Sequence, residues 1–219
     1  MFSRTLGIRP GVTAVIGGGG KTTLLRRLGE ELSREDSVLL CTTTKIYPFP
    51  GIPIAHTARE IRGFQGRLLC AGTPIEGGKL TVPEISMAEL AERFSYVLVE
   101  ADGSAGRPLK AHESHEPVIP PEAERTILVL GASGFGQPIC VAAHRPERYA
   151  ALSGAALSDP VTPAMAAKVL QGENLHTHLL INQIETSETY AAAMDLAALI
   201  SGPVFGGSLQ KGEIFLCSL

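Results

Sequence analysis

Four consecutive glycines followed by Lys21-Thr22-Thr23 constrain this chain more than any other feature. They stand after Thr13-Ala14-Val15-Ile16, a short β-prone run. They precede residues 21–33, where Leu24, Leu25, Leu28 and Leu32 fall on one face of a helix. Glycine lets consecutive backbone N–H groups turn inward without Cβ clashes, which makes a cradle for phosphate oxygens. A helix starting near Lys21 adds its positive end to that cradle. The strand–loop–helix context therefore predicts a phosphate loop made of Gly17, Gly18, Gly19, Gly20, Lys21, Thr22 and Thr23. Lys21 would reach the β and γ phosphates of ATP or GTP, and the Thr22 hydroxyl would ligate Mg²⁺.

The rest of the chain alternates short apolar runs with helical patterns, which implies an α/β protein. The expectation is a P-loop NTPase-like fold: a mostly parallel sheet with helices on both faces and a small β-hairpin insertion. Strands are expected at residues 37–41, 96–100, 126–130 and 178–182, with terminal ones at Val204-Phe205 and Ile214-Phe215-Leu216. Residues 67–71 and 79–82 flank Pro74 and Gly77-Gly78 and read as the hairpin. Ser86-Met87-Ala88-Glu89 has capping-box spacing and opens a helix to Arg93. Thr162-Pro163 starts another that runs to Leu170. Further helices are expected at residues 146–156 and 187–200. Residues 103–123 are rich in Gly, Pro and charge and read as a long functional loop. No linker is evident, so residues 1–219 are expected to form a single domain.

Three segments would complete the site. Tyr96-Val97-Leu98-Val99-Glu100-Ala101-Asp102 is an apolar strand that delivers two carboxylates to the edge where parallel sheets bind ligands. Glu100 and Asp102, two apart, would point the same way; one would hold Mg²⁺ and the other orient an attacking water. These two acids and Lys21 are the catalytic candidates, and Thr22, Glu100 and Asp102 the metal ligands. Thr42-Thr43-Thr44-Lys45 follows the second strand, and Thr43 is placed to sense a γ-phosphate. Asn182-Gln183-Ile184-Glu185 stands where GTPases read guanine with Asn-Lys-x-Asp. Gln183 replaces the lysine and Glu185 the aspartate, so Asn182 and Glu185 are base-side candidates that leave ATP and GTP both open.

Composition removes other function classes. A net charge of −3, aromatics at 5% and no Trp argue against a nucleic-acid surface. No apolar run reaches the roughly 18–20 residues of a membrane span, and the first ten residues lack a signal-peptide core, so a cytoplasmic protein is expected. Cys41, Cys70, Cys140 and Cys217 are scattered and read as free thiols, with Cys41 bordering the threonine run. His112, Glu113, His115 and Glu116 have the side chains of a metal site, but spacing alone does not make them converge.

The motifs taken together resemble a known family. They are the glycine loop, Thr42-Thr43-Thr44-Lys45, Glu100-Ala101-Asp102-Gly103-Ser104-Ala105-Gly106-Arg107-Pro108-Leu109-Lys110-Ala111, His115-Glu116-Pro117-Val118-Ile119-Pro120 and His144-Arg145-Pro146-Glu147. The chain is similar to the selenium-dependent hydroxylase accessory proteins of the YqeC type. His112 departs from that pattern, which calls for proline there. The glycine loop also fits the Gly-Gly-x-Gly-Lys-Thr-Thr variant of the NTPase class of signal-recognition and metallochaperone GTPases. Ile16 stands where that variant often carries a second lysine, and homodimers across the nucleotide are common in the class. The family resemblance implies a slow Mg²⁺-dependent NTPase whose partner is a molybdenum hydroxylase or its cofactor-maturation machinery. Two other readings fit the same residues. One is a small-molecule kinase or nucleotide-driven ligase using Arg107 and Lys110. The other is a nucleotide-gated binding module with negligible turnover.

Overall fold

A computed structural model describes residues 1–218 of the chain. The strands are β1 (Gly11–Gly17), β2 (Val38–Thr42), β3 (Ile54–Ala55), β4 (Leu68–Ala71), β5 (Thr73–Ile75), β6 (Lys79–Thr81), β7 (Tyr96–Glu100), β8 (Leu109–Lys110), β9 (Ala123–Gly131), β10 (Ala143–His144), β11 (His178–Asn182), β12 (Val204–Ser208) and β13 (Glu213–Ser218). The helices are α1 (Phe2–Thr5), α2 (Lys21–Leu32), α3 (Ala58–Gly63), α4 (Met87–Arg93), α5 (Ile139–Ala142), α6 (Pro146–Ser153), α7 (Pro163–Glu173) and α8 (Ser187–Ala197). Among the described residues the main-sheet strands run mostly parallel and alternate with helices, so the fold is α/β as expected. The chain divides into two compact units, each discontinuous in sequence. No helix of the described residues is long and apolar enough to cross a membrane.

The first unit comprises Met1–Val15, Thr22–Asp102 and Val118–Thr126. Its strands run in the order β3-β4-β2-β7-β1, all parallel. They read as continuous apolar runs because both faces are covered. Leu39, Cys41, Val97 and Val99 point to one face and pack with Ile61 of α3 and Leu90 of α4. The next residue in register, Leu40, meets α2 on the other face. A Cβ at Gly29 would stand 3.1 Å from both Leu40 and Leu68, so a small residue there lets α2 lie close to the sheet.

The expected hairpin is drawn from the wrong strand. Residues 68–71 form β4, a buried parallel neighbour of β2, and the hairpin pairs β5 with β6. Leu69, Cys70 and Ala71 are too apolar for a two-stranded ribbon and go into the sheet. Pro74 has no N–H and sits in the short hairpin instead. The turn runs through Gly77 and Gly78, with φ of 78° and 71°. The short α3 lies outside the expected helices, although Thr57 and Glu60 form a complete capping box at its start.

The second unit comprises Ile16–Lys21, Gly103–Pro117 and Ile127–Leu219. Here β9, β11 and β12 are parallel, and β13 returns antiparallel to β12. Helix α7 packs against both α6 and α8. Helix α6 stops three residues short of the expected end because Gly154 takes a left-handed conformation, φ 72°, and closes it. All four cysteines are free. Cys41 and Cys70 are buried and Cys140 is exposed. Burial raises the Cys41 thiol far above its ordinary range and pushes Cys70 up to about 11.

Candidate functional site

The glycine loop leaves β1 and enters α2 with Gly17, Gly19 and Gly20 at φ of 93°, 73° and 133°. Side chains rarely tolerate those angles, which accounts for three of the four glycines. Gly18 is there for space: a Cβ would stand 2.5 Å from the Arg107 carbonyl oxygen and 2.9 Å from that of Pro108. Within this unit the Gly18 amide donates to the Val129 carbonyl at 2.9 Å, and the Gly19 amide to the Arg107 carbonyl at 3.1 Å. Lys21 is 4% exposed and folds back on the loop, its Nζ donating to the Gly17 carbonyl at 2.7 Å. This wraps the loop around its own cation.

Asn182 fastens the same loop. Its Nδ2 donates to the Gly19 carbonyl at 2.7 Å, while its Oδ1 accepts from the Leu209 amide at 2.8 Å. Glu185 accepts from the Ser208 hydroxyl at 3.0 Å. Gln183 is left-handed, φ 64°, and its side-chain oxygen accepts from the Ser133 hydroxyl at 2.6 Å. Asn182 and Glu185 thus lie near the turn that joins β12 to β13, with Asn182 engaged at both of its polar ends. The contributions of Ser208 and of the Leu209 amide carry no signal in the sequence.

In the first unit, β7 carries Glu100 to the end of the strand, opposite Val15 on β1 and Thr42 on β2. The Thr22 hydroxyl, in the first turn of α2, donates to Glu100 Oε2 at 3.0 Å. Glu100 is 7% and Asp102 1% exposed, so both acids are buried at the carboxyl end of β7. The threonine run is bound to the same strand end. The Thr42 hydroxyl donates to the Glu100 carbonyl at 2.7 Å, and the Thr43 amide to that carbonyl at 3.2 Å. The Thr43 hydroxyl donates to the Val118 carbonyl at 2.7 Å. A hydroxyl beside a carboxylate is a hard-oxygen donor pair, the chemistry Mg²⁺ prefers.

Residues 103–117 of the second unit hold a separate charge cluster. Buried Lys110 pairs with Glu116 at 3.3 Å, and Arg145, left-handed at φ 63°, lies 3.6 Å from the same carboxylate. Burial raises the Glu116 carboxyl, but the Lys110 ammonium and the Arg145 guanidinium outweigh it and hold it below the ordinary value. Arg107 donates to the Val141 carbonyl. His112 pairs with Glu173 at 2.7 Å, both side chains buried. Among the described residues no three His, Cys, Asp or Glu side chains come together as a metal site.

A family model described as "YqeC protein" matches residues 13–147, more than half of the chain. The chain belongs to the YqeC family. A protein of Escherichia coli strain K12, called "Uncharacterized protein YqeC", is 30% identical to it over 167 residues. That match covers 67% of this chain and 62% of the relative, so the chain spans less than two thirds of the relative's length. The YqeC stretch holds the glycine loop, the threonine run, both acids and the Lys110–Glu116–Arg145 cluster. Asn182 and Glu185 fall outside it.

Proposed function

We propose that this YqeC protein binds a nucleoside triphosphate with Mg²⁺, hydrolyses it slowly and serves in the cytoplasm as an accessory factor. The observation that carries the reading is the Thr22–Glu100 pair at 3.0 Å, in the residue directly after a lysine that closes a glycine loop. Lys21 exchanges the Gly17 carbonyl for phosphate oxygens, and the first-turn amides of α2, which have no acceptor within the helix, take others. Thr22 with Glu100 or Asp102 holds Mg²⁺, which supplies charge neutralisation at the phosphates. The remaining acid orients a water, and Thr43 meets the γ-phosphate side. Asn182 keeps the loop in shape, and Glu185 faces the base. The client, a selenium-dependent molybdenum hydroxylase or its cofactor-maturation machinery, is supported by the family resemblance alone.

A nucleotide-gated binding module is the second reading. Its support is the Thr43–Val118 hydrogen bond, which ties the threonine run to a neighbouring segment. The kinase or ligase reading has less support, because Arg107 and Lys110 are already committed to Val141 and Glu116.

The test is Mg²⁺-dependent binding and turnover of ATP and GTP side by side, with Lys21→Ala as control. Tight binding of one triphosphate that is lost in Lys21→Ala supports the reading, and the presence of phosphate release separates hydrolase from switch. Failure of both nucleotides to bind at about 1 mM overturns it.

A further inference from the structure

A groove of about 450 Å³ opens in the first unit, lined by residues 82–87 and 118–122 together with Thr43. Its surface is mainly aliphatic, with Val82 48% and Val118 47% exposed. Pro83, Pro120 and Pro121 give the wall positions without N–H groups, and the Ala123 amide closes a turn on the Pro120 carbonyl at 3.0 Å that carries Pro121 and Glu122. The only charges in the lining are Glu84 and Glu122, and no lysine or arginine offsets them. Glu84 is committed, since its Oε2 accepts from the Ala58 amide at 2.9 Å. Glu122 is not: its Oε2 is buried and has no hydrogen-bond partner. A carboxylate oxygen in that state calls for a donor from outside the chain.

We propose that this groove docks an apolar segment of a partner protein bearing one lysine or arginine, whose cation pairs with Glu122. Charge selects this occupant over the alternatives. A second copy of the chain meeting this face symmetrically would bring acid against acid. An anionic lipid surface would be repelled by the same two glutamates. Apolar contact with Val82 and Val118 supplies the burial, and the acid supplies the choice of partner.

The groove is also wired to the proposed nucleotide site, and this part of the inference rests on that reading. Thr43 lines the groove and donates to the Val118 carbonyl, while its amide is held by the Glu100 carbonyl. Glu100 in turn accepts from Thr22. A triphosphate that draws the Thr43 hydroxyl away leaves Val118 without its donor and loosens that wall. Affinity for the segment falls when the triphosphate binds.

A phage-displayed random decapeptide library, selected on the full chain and counter-selected on Val82→Asp, tests the docking. Selected peptides are then synthesised and titrated by fluorescence anisotropy. The expected winners are apolar with one basic residue and lose at least about tenfold in affinity when that residue becomes glutamate. Glu122→Gln should remove most of that preference while leaving apolar binding in place. The same change at exposed Glu76 should do nothing, and both variants must keep the wild-type melting temperature.

Docking is overturned by winners without a basic residue, by no Val82-dependent peptide, or by an unchanged preference in Glu122→Gln. It is likewise overturned if Val82→Asp splits a dimer seen by sedimentation, or if anionic vesicles of phosphatidylglycerol bind in a Val82-dependent way. For the coupling, Mg-ATP or Mg-GTP should weaken the peptide several-fold in the wild type but not in Thr43→Val. Peptide affinity indifferent to a bound nucleotide refutes the coupling. If no nucleotide binds, the proposed function and the coupling fall together, and the peptide data still decide the docking.

Discussion

Asn182→Ala offers the sharpest separation between a residue that reads a base and one that holds a loop. The side chain is 5% exposed and bridges the Gly19 carbonyl, at 2.7 Å, to the Leu209 amide, at 2.8 Å. Gly19 and Leu209 are themselves buried, so alanine leaves one acceptor and one donor without partners or water. An orphaned buried polar group costs about 1–3 kcal/mol, and about 1.5 for each gives roughly 3 kcal/mol. At about 2–4 °C per kcal/mol for a chain of this length, the melting temperature should fall by roughly 6–12 °C. Asn182→Asp keeps the acceptor for Leu209 but sets a carboxylate against the Gly19 carbonyl, so it should lose at least as much. Urea titration gives the stability, and ATP and GTP titrations run in parallel give the binding. Because the side chain shapes the glycine loop, both triphosphates should weaken by the same factor if that loop holds their phosphates as proposed. A stability loss below about 1 kcal/mol, or a binding loss confined to one nucleotide, would refute the clamp.

Other perturbations probe neighbouring parts. Gly18→Ala puts a methyl 2.5 Å from the Arg107 carbonyl, and backbone cannot swing aside as a side chain can. It should cost about 1–3 kcal/mol in urea and abolish triphosphate binding, and a variant of wild-type stability would show that the loop relaxes freely. Thr22→Val keeps the shape but removes the hydroxyl donated to Glu100. Its triphosphate affinity should lose its Mg²⁺ dependence, with a melting temperature within about 2 °C of wild type. Burial lowers the His176 pKa, so the folded chain refuses a proton that the unfolded chain accepts. That contribution is complete above about pH 6.5 and lost as pH falls below it. His176→Leu should therefore show a smaller drop in urea midpoint between pH 7.5 and 5.5 than the wild type; an equal drop would place the acid sensitivity elsewhere.

Much of the fold was legible because its signals are local. The runs that became β1, β2, β7, β9 and β11 are uninterrupted aliphatic stretches, and α2 shows its leucines at helical spacing. Thr162 caps α7 where the Thr-Pro pair places it, its hydroxyl accepting from the Met165 amide. The error at residues 67–71 arose where two short strands lie close in sequence, and turn residues alone cannot say which of them pairs across the turn. At the site, residue type and spacing pointed to Lys21, Thr22 and Glu100. The clamp by Asn182 joins atoms 163 positions apart and has no periodicity to announce it. The demand for Gly18 comes from the main chain of Arg107 and Pro108, so no side chain in the sequence reports it.

The uneven burial of the thiols gives the molecule an optical handle. Maleimide reacts with thiolate, so Cys41 and Cys70, buried with raised pKa values, should stay silent at neutral pH while exposed Cys140 is labelled first. Cys217 is half-buried and its thiol is raised by burial, which makes it a slower competitor that serine can replace. Cys140 sits next to Val141, whose carbonyl receives the Arg107 guanidinium. A dye at that cysteine would therefore watch the Arg107 anchor, whose own carbonyl holds the Gly19 amide. The wild-type chain already carries the reporter with which to see its glycine loop change partners.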